Sequence, residues 1–217
     1  MKRSITVLLA LLVVSSLTFG QSFKVGLGGG LAIVNGPDVL TNDISKDGLG
    51  FSTEYQVGLK GKFGLPLMPI KIIGEVNYML LNGEEDFDMT YYGEMIGVKA
   101  ETEASILSLG LGAEYYLIPG PISPYINATV NFNSISELKV KSTIKYNGVT
   151  YPTEEETLGE KVSRTGLGIG AGVSISILPI IDIDISAKYN IINLLGKEDG
   201  EDTISTTSLM ATVFIGF

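Results

Sequence analysis

Hydrophobic and polar residues alternate with a period of two along most of this chain, and the alternation divides into eight segments. In the seventh segment, apolar residues occupy the odd positions from Ile181 to Ile191, with polar or charged residues between them. A period of two places the two sets of side chains on opposite faces of a β-strand. The predicted strands are Phe23–Ile33, Phe51–Phe63, Lys71–Leu81, Ala104–Leu117, Tyr125–Phe132, Gly166–Ile177, Ile181–Ile192 and Thr207–Phe217.

The connections between these strands alternate in length. Those after strands two, four and six are short and contain proline, whereas the others are longer, polar and acidic. Short turns at one rim and long loops at the other are typical of membrane barrels, and both termini then lie on the short-turn, periplasmic side. The longest connection contains Asn147-Gly148 between two alternating segments, which is a hairpin signal. We expect it to continue strands five and six above the membrane as a ribbon.

The first twenty residues have the pattern of a secretory signal peptide. Two basic residues precede an apolar segment from Ile5 to Val14, and small residues precede the predicted cleavage site after Gly20. The apolar segment is too short to span a bilayer as a helix. We therefore expect a signal peptide over residues 1–20 and one barrel domain over residues 21–217. An uncleaved anchor is the alternative.

Composition excludes several classes of site. The chain contains no Cys, His or Trp, so disulfides and thiolate metal sites are excluded. Its net charge of −9 argues against nucleic acid as a partner. We predict no catalytic, cofactor or metal site. A lipid-active enzyme is a disfavoured alternative, because without histidine a Ser-Lys or carboxylate pair would have to act as the base.

Alternation alone leaves open whether the apolar faces point outward or, as in a soluble lipocalin-like barrel, inward. The interior of an eight-stranded barrel is just filled by side chains, so the many large apolar residues would overfill it. An inward apolar face would also expose the glycine-rich faces of strands one and six to water. Aromatic residues on the apolar faces form two levels, as at the two interfaces of a bilayer. The predicted girdles are Phe23, Phe63, Tyr115 and Phe217 below, and Tyr55, Tyr78, Phe132 and Tyr189 above.

With the apolar faces outward, the polar faces line the lumen and carry four basic and four acidic residues. Charges in a narrow interior must be paired or hydrated, so we predict a salt-bridged network that closes the lumen, with Asp182 and Asp184 paired with Lys60 and Lys62. A narrow conduit gated by exchange of partners is the alternative. The predicted network consists of Lys24, Lys60, Lys62, Glu75, Glu114, Asp182, Asp184 and Lys188.

The long loops are rich in acidic residues, above all between predicted strands three and four and between strands seven and eight. One interpretation is a solvated, repulsive surface. The other is a site for divalent cations such as Ca²⁺ or Mg²⁺, which prefer oxygen ligands and could bridge the loops to anionic lipid head groups. No segment has the pattern of an ordered calcium-binding loop.

With these features the chain resembles the small eight-stranded outer-membrane barrels of the outer membrane protein A and X type. The resemblance covers residues 21–217 and includes the glycine-rich segment Val25–Leu31, the inward charges and the terminal Phe217. It implies an all-β, eight-stranded antiparallel up-and-down transmembrane barrel in the bacterial outer membrane, surrounded by outer-membrane lipids. It also implies that the barrel assembly machinery reads Phe217 as an assembly signal.

For function, we expect a structural role in envelope integrity, with loops that bind extracellular ligands or mediate adhesion. A narrow porin-like channel for ions or small solutes is the alternative. The two differ in whether the inward charges close the lumen, and eight strands favour closure.

Overall fold

The computed structural model describes residues 22–65, 68–91, 94–146, 149–152 and 155–216. The predicted signal peptide, the Asn147-Gly148 turn and Phe217 lie outside the described residues, so what was predicted for them stays a prediction.

Eight antiparallel strands form a closed barrel. They are β1 (Ser22–Gly36), β2 (Thr53–Gly64), β3 (Ile70–Tyr91), β4 (Glu94–Tyr116), β5 (Ile122–Ile135), β9 (Val162–Leu178), β10 (Ile181–Leu195) and β11 (Ser205–Gly216). Each pairs with its sequence neighbours in the barrel, β5 pairs with β9, and β1 pairs with β11 to close the ring. The predicted eight-stranded up-and-down barrel is confirmed.

The apolar faces of the strands point outward. Leu27 is 70% exposed and Ile215 is 61% exposed on the outer surface, whereas Lys62, Glu114 and Asp184 are buried in the lumen. Outward apolar side chains suit a hydrocarbon environment, and the closed ring leaves no strand edge unpaired within it. This is the orientation that interior volume and the two aromatic levels predict.

The acidic segment between predicted strands three and four is not a loop. β3 and β4 continue past the barrel and remain paired as far as Tyr91 and Glu94. Their outer face carries charges such as Glu84, while their inner face carries apolar residues such as Phe87. The period of two therefore continues, but the loop-like composition hides it.

The insert between β5 and β9 contains β6 (Leu138–Tyr146), β7 (Val149–Pro152) and β8 (Glu156–Leu158). We expected this insert to form a hairpin that continues strands five and six. The hairpin is confirmed, because β6 and β7 pair on either side of Asn147-Gly148. The continuation of strands five and six was wrong. β6 instead pairs with the upper part of β4, and β7 and β8 pair with β6. We call the resulting sheet the blade: residues 82–91 of β3, residues 94–103 of β4, and β6, β7 and β8.

The connection between β1 and β2 folds over the upper end of the lumen. It contains helix α1 (Asp38–Thr41) and a single 3-10 turn (Ile44–Lys46). Predicted as a polar loop, it instead supplies Phe51, which was expected to begin strand two, to a buried apolar cluster. We call this cluster the apolar cap; its members are Ala32, Val34, Leu40, Leu49, Phe51, Met79, Leu81, Ala104, Ile106, Ile135, Leu138, Ile192 and Ile204. Within the described part of the chain, no helix has the length and hydropathy needed to cross a membrane.

Gly83 lets the backbone of the cap approach β3. A Cβ at Gly83 would lie 1.9 Å from the Leu49 carbonyl oxygen and 2.4 Å from Thr102 Oγ1. A larger residue at this position would therefore push the two segments apart.

We expect Gly83→Ala to lower the free energy of unfolding by about 1–3 kcal/mol, measured by urea unfolding of the refolded protein in lipid vesicles. Gly74→Ala is the control, because no atom lies within 4 Å of a Cβ there; it should change stability by less than about 0.5 kcal/mol. Equal effects at the two positions would contradict this account.

Candidate functional site

Buried ion pairs fill the lower end of the lumen, at the short-turn rim. Lys62 Nζ lies 2.9 Å from Glu114 Oε2 and also pairs with Asp184, and both side chains of the second pair are 2% exposed. Lys60 Nζ lies 2.5 Å from Glu114 Oε1. Since these residues belong to β2, β4 and β10, the pairs connect strands that are not neighbours in the ring. We call this group, with Lys24 and Asp182, the lower network.

The other pairs differ from those that the sequence suggests. Asp182 pairs with Lys24 rather than with Lys60 or Lys62. Higher in the lumen, Lys188 pairs with Glu75. The structure thus places all eight predicted lumen charges in ion pairs. That these pairs close the lumen to ions stays a prediction.

Aromatic rings pack against the lower network. Tyr116 and Tyr125 lie with ring centroids 5.4 Å apart, and the Tyr125 hydroxyl donates to Asp184 Oδ2 at 3.1 Å. Lys62 Nζ lies 4.4 Å from the ring centroid of Phe214 and 4.9 Å from that of Tyr125, within the range of cation–π attraction. Cations, carboxylates and rings together form a dense lower plug.

Sequence reasoning missed four members of this plug: the two tyrosines just described, Phe214 and Lys71. Phe214 is fully buried, and it lies opposite Gly26, where a Cβ would be 2.7 Å from its ring. Lys71 Nζ lies 4.3 Å from the Tyr116 ring centroid. Both residues share strand parity with recognised inward residues, Phe214 with Thr212 and Lys71 with Glu75, so parity could have identified them.

A small cavity, lined by both polar and apolar side chains, lies between the lower plug and the apolar cap. Its volume is about 40 Å³, enough for a few water molecules. Gln56, Asn77, Asn190 and Ser208 line it together with the Lys188–Glu75 pair. The lumen is therefore filled by ion pairs and rings below, mixed in the middle and apolar above, whereas the sequence suggested a polar lumen throughout.

Arg164 and Glu201 organise the connection between β10 and β11 at the upper rim. Arg164 Nη2 donates to Glu201 Oε2 at 2.7 Å, and Nε donates to both carboxylate oxygens at 3.1 Å. Asn193 Nδ2 donates to Glu201 Oε1 at 2.7 Å. Asn193 is completely buried and lies in an irregular stretch of β10, where the pairing register with β9 shifts. One carboxylate of this acidic loop is therefore bound into the fold rather than free to repel its neighbours.

These contacts predict a pH dependence of loop order. The hydrogen bonds from Arg164 lower the pKa of Glu201 from 4.5 to about 2. Because the folded pKa is the lower one, this stabilisation is fully present above pH 4.5 and is lost as the pH falls through about 2. We expect the protection factors of the amides in residues 197–204, that is, their exchange corrected for the intrinsic pH dependence, to fall over that window. Glu201→Gln should remove this pH dependence; a variant that kept it would contradict the assignment to Glu201.

Ion pairs also cross the outer face of the blade. Lys99 Nζ lies 2.9 Å from Glu84 Oε1 and 2.7 Å from Glu101 Oε1. Lys139 Nζ lies 3.0 Å from Glu155 Oε1. Over the ranges that the structure describes, no group of three or more acidic residues converges as a metal site would require. The structure therefore adds no support for cation binding by the acidic segments.

The predicted girdle aromatics lie on the barrel wall. Tyr55, Tyr78, Tyr115, Phe132 and Tyr189 are all exposed there. Of the remaining two described members, Phe23 pairs directly across the strands with Phe63. Their contact with the membrane interfaces stays a prediction.

Comparison with known families identifies this architecture. The family described as the outer membrane protein beta-barrel domain matches residues 6–217, nearly the whole chain. The chain belongs to this outer-membrane barrel family. Its location is therefore the bacterial outer membrane, where the outward apolar faces contact lipid. Comparison with curated proteins gives no match.

Solved outer-membrane barrels have a similar fold. Neisserial surface protein A is 18% identical to this chain, with a TM-score of 0.51. The match covers 91% of this chain and 97% of Neisserial surface protein A. The attachment invasion locus protein of Yersinia pestis, in complex with the heparin analogue sucrose octasulfate, is 14% identical, with coverages of 91% and 97% and a TM-score of 0.43. OprG from Pseudomonas aeruginosa is 13% identical, with coverages of 89% and 93% and a TM-score of 0.39. At these identities the likeness concerns the fold alone.

Proposed function

We propose that this outer-membrane barrel is a closed anchor that contributes to envelope integrity and displays the blade to the extracellular medium as a binding or adhesion surface. The observation that carries the proposal is the length of β3. Its pairing with β2 ends at Met79, but the strand continues to Tyr91. At about 3.4 Å per residue, this extension is roughly 40 Å long. A paired, ordered sheet of this length presents a far more defined surface than a flexible loop would.

The interior supports an anchor rather than a conduit. A path along the lumen would have to pass the apolar cap and the lower plug, between which the described residues line a cavity of about 40 Å³. The proposal includes no catalytic step. The signal peptide over residues 1–20 and the assembly role of Phe217 belong to the proposal as parts of delivery to the membrane.

The test combines conductance with binding. Protein refolded in planar bilayers should give no discrete current steps, and steps above background would favour the channel instead. Vesicles containing the full chain should be retained on an array of extracellular polypeptides and polysaccharides. A variant with residues 84–101 replaced by Asn-Gly should lose that retention while keeping the heat-modifiable gel shift of a folded barrel. Equal retention of vesicles with the full chain and vesicles with the shortened variant would overturn the role of the blade.

A further inference from the structure

One edge of the blade is open. Within the barrel, β3 pairs with β2 on one side and β4 on the other, but its pairing with β2 ends where Met79 lies opposite Gln56. The next stretch of this edge is covered by other contacts. Glu54 accepts from the Asn82 N–H at 3.1 Å, and Glu85 accepts from the backbone N–H and the hydroxyl of Ser45 at 2.8 and 2.6 Å. Beyond Glu85, no described strand pairs with β3 on the side away from β4.

The open edge presents backbone N–H and C=O groups on the side away from β4. The Asn82 N–H points away from β4, because it donates to Glu54. Successive residues of a strand direct their N–H and C=O groups to alternate sides, so residues of the same parity as Asn82 point the same way. Asp86, Asp88 and Thr90 therefore direct their donors and acceptors to the open side. Such a row is a template for another strand.

The opposite edge of the blade is a poorer template. β7 has four residues and ends in Pro152, which has no N–H, and β8 has three residues. A strand that joined this side would gain few main-chain hydrogen bonds. Among the described strands of the blade, β3 therefore has the longest free edge.

Side chains beside the edge define the chemistry of a partner. On the outer face Asp86 and Asp88 are exposed, and on the inner face Met89 follows the half-buried Phe87. Directly opposite side chains in a sheet contribute most when their charges are opposite or both are apolar. An added strand would therefore alternate basic with apolar residues.

The blade already contains one such pairing. Glu101 and Glu103 of β4 lie opposite Lys141 and Lys139 of β6. β6 is itself a strand in which lysines alternate with other residues, Leu138-Lys-Val-Lys-Ser-Thr-Ile-Lys-Tyr146. The same chemistry at the free edge of β3 requires a strand of the same type from another polypeptide.

Pairing between two copies of this edge does not meet that requirement. Residues 84–90 contain four acidic residues and no lysine or arginine. If two copies of this edge paired antiparallel, the outer face of one would continue the outer face of the other. Each aspartate of this stretch would then lie opposite an acidic residue or a threonine of the second copy, and never opposite a cation. Like charges directly opposite are destabilising, so the edge disfavours a second copy of itself.

We propose that residues 86–90 of β3 form a docking edge that binds an extended, basic polypeptide segment by strand addition. The inference rests on the proposed function of the blade and specifies its partner. Main-chain hydrogen bonds to Asp86, Asp88 and Thr90 supply affinity, and the two aspartates select lysine or arginine at alternate positions.

A fluorescent peptide of nine residues, alternating Lys and Val, tests the inference on the full chain in vesicles. It should bind, and its binding should weaken with salt because the aspartates are exposed. A peptide with Glu in place of Lys should not bind. Methylation of the peptide nitrogens that face β3 should weaken binding by roughly tenfold, since it removes main-chain donors. Equal binding of the Lys and Glu peptides, or no effect of methylation, would overturn the inference.

Two variants of Asp88 separate charge from backbone. Asp88→Ala removes the charge and keeps the N–H, whereas Asp88→Pro removes both, and the lost N–H is one that points away from β4. The Asp88→Pro variant should bind the Lys-Val peptide roughly tenfold more weakly than the Asp88→Ala variant does. The gel shift shows that the barrel of each variant is folded. Equal binding by the two variants would overturn the docking edge. If array ligands bind the blade but the peptide does not, the docking edge alone fails; if neither binds, the proposed function fails too.

Discussion

Replacing Lys62 by methionine is expected to lower the free energy of unfolding by about 3–5 kcal/mol. The Lys62 side chain is 2% exposed and pairs with both Glu114 and Asp184, which are themselves buried. Removing the cation leaves two carboxylates facing each other in the lower plug without the positive charge that they share. Urea titration in vesicles, followed by the gel shift of the folded form, measures the loss.

Two controls separate this effect from a general response to a lost lysine. Lys46 also forms an ion pair, with Asp43 at 2.5 Å, but its side chain is 71% exposed. Lys46→Met should therefore change stability by less than about 1 kcal/mol. Adding Asp184→Asn to Lys62→Met should restore part of the loss. Among the described residues, Lys62 is the cation that pairs with Asp184, whereas Glu114 keeps its ion pair with Lys60. A Lys62→Met variant as stable as Lys46→Met would contradict the structural role of the lower network.

Replacing Phe51 by alanine is expected to destabilise the protein by about 3–5 kcal/mol. Phe51 is 1% exposed and belongs to the apolar cap. Its truncation leaves a cavity between the β1–β2 connection and the barrel strands. Urea unfolding gives the magnitude, and hydrogen exchange in residues 38–50 shows whether the connection has detached.

Val39→Ala is the matched control for Phe51→Ala. Val39 lies on the same connection but is 52% exposed, so its truncation should change stability by less than about 0.5 kcal/mol. If exchange in the connection is unchanged by Phe51→Ala, the cap is held by its hydrogen bonds rather than by apolar packing.

The transmembrane part of the fold can be predicted from the sequence because its signal is local. A period of two identifies a strand wherever it occurs, and strand length together with short turns indicates that neighbours pair. The outward direction of the apolar faces follows from volume, since a narrow barrel has no room for many Leu and Ile side chains. These arguments require no knowledge of which residues touch across the lumen.

The blade shows where such reasoning fails. Residues 82–91 and 94–103 also alternate, with charges such as Glu84 on the outer face and apolar residues such as Phe87 on the inner face, although Glu85 interrupts the inner face. Composition suggested a loop, although the period indicated strands. The place of the insert was also wrong. β6 and β7 pair with each other as predicted, but β6 joins β4 instead of continuing β5. That choice depends on where each strand ends above the rim, and local sequence does not encode it.

Strand number and the division of side chains between the two faces of each strand thus follow from the order of residues, because each depends only on neighbours along one strand. Pairing inside the lumen is decided by closure of the ring. Lys24 and Asp182 are 158 positions apart in the chain, and their contact depends on the register of every strand between them. The apolar cap arises in the same way. Its residues come from β1, β3, β4, β5, β6, β10 and the connecting segments, and the closed barrel brings them together.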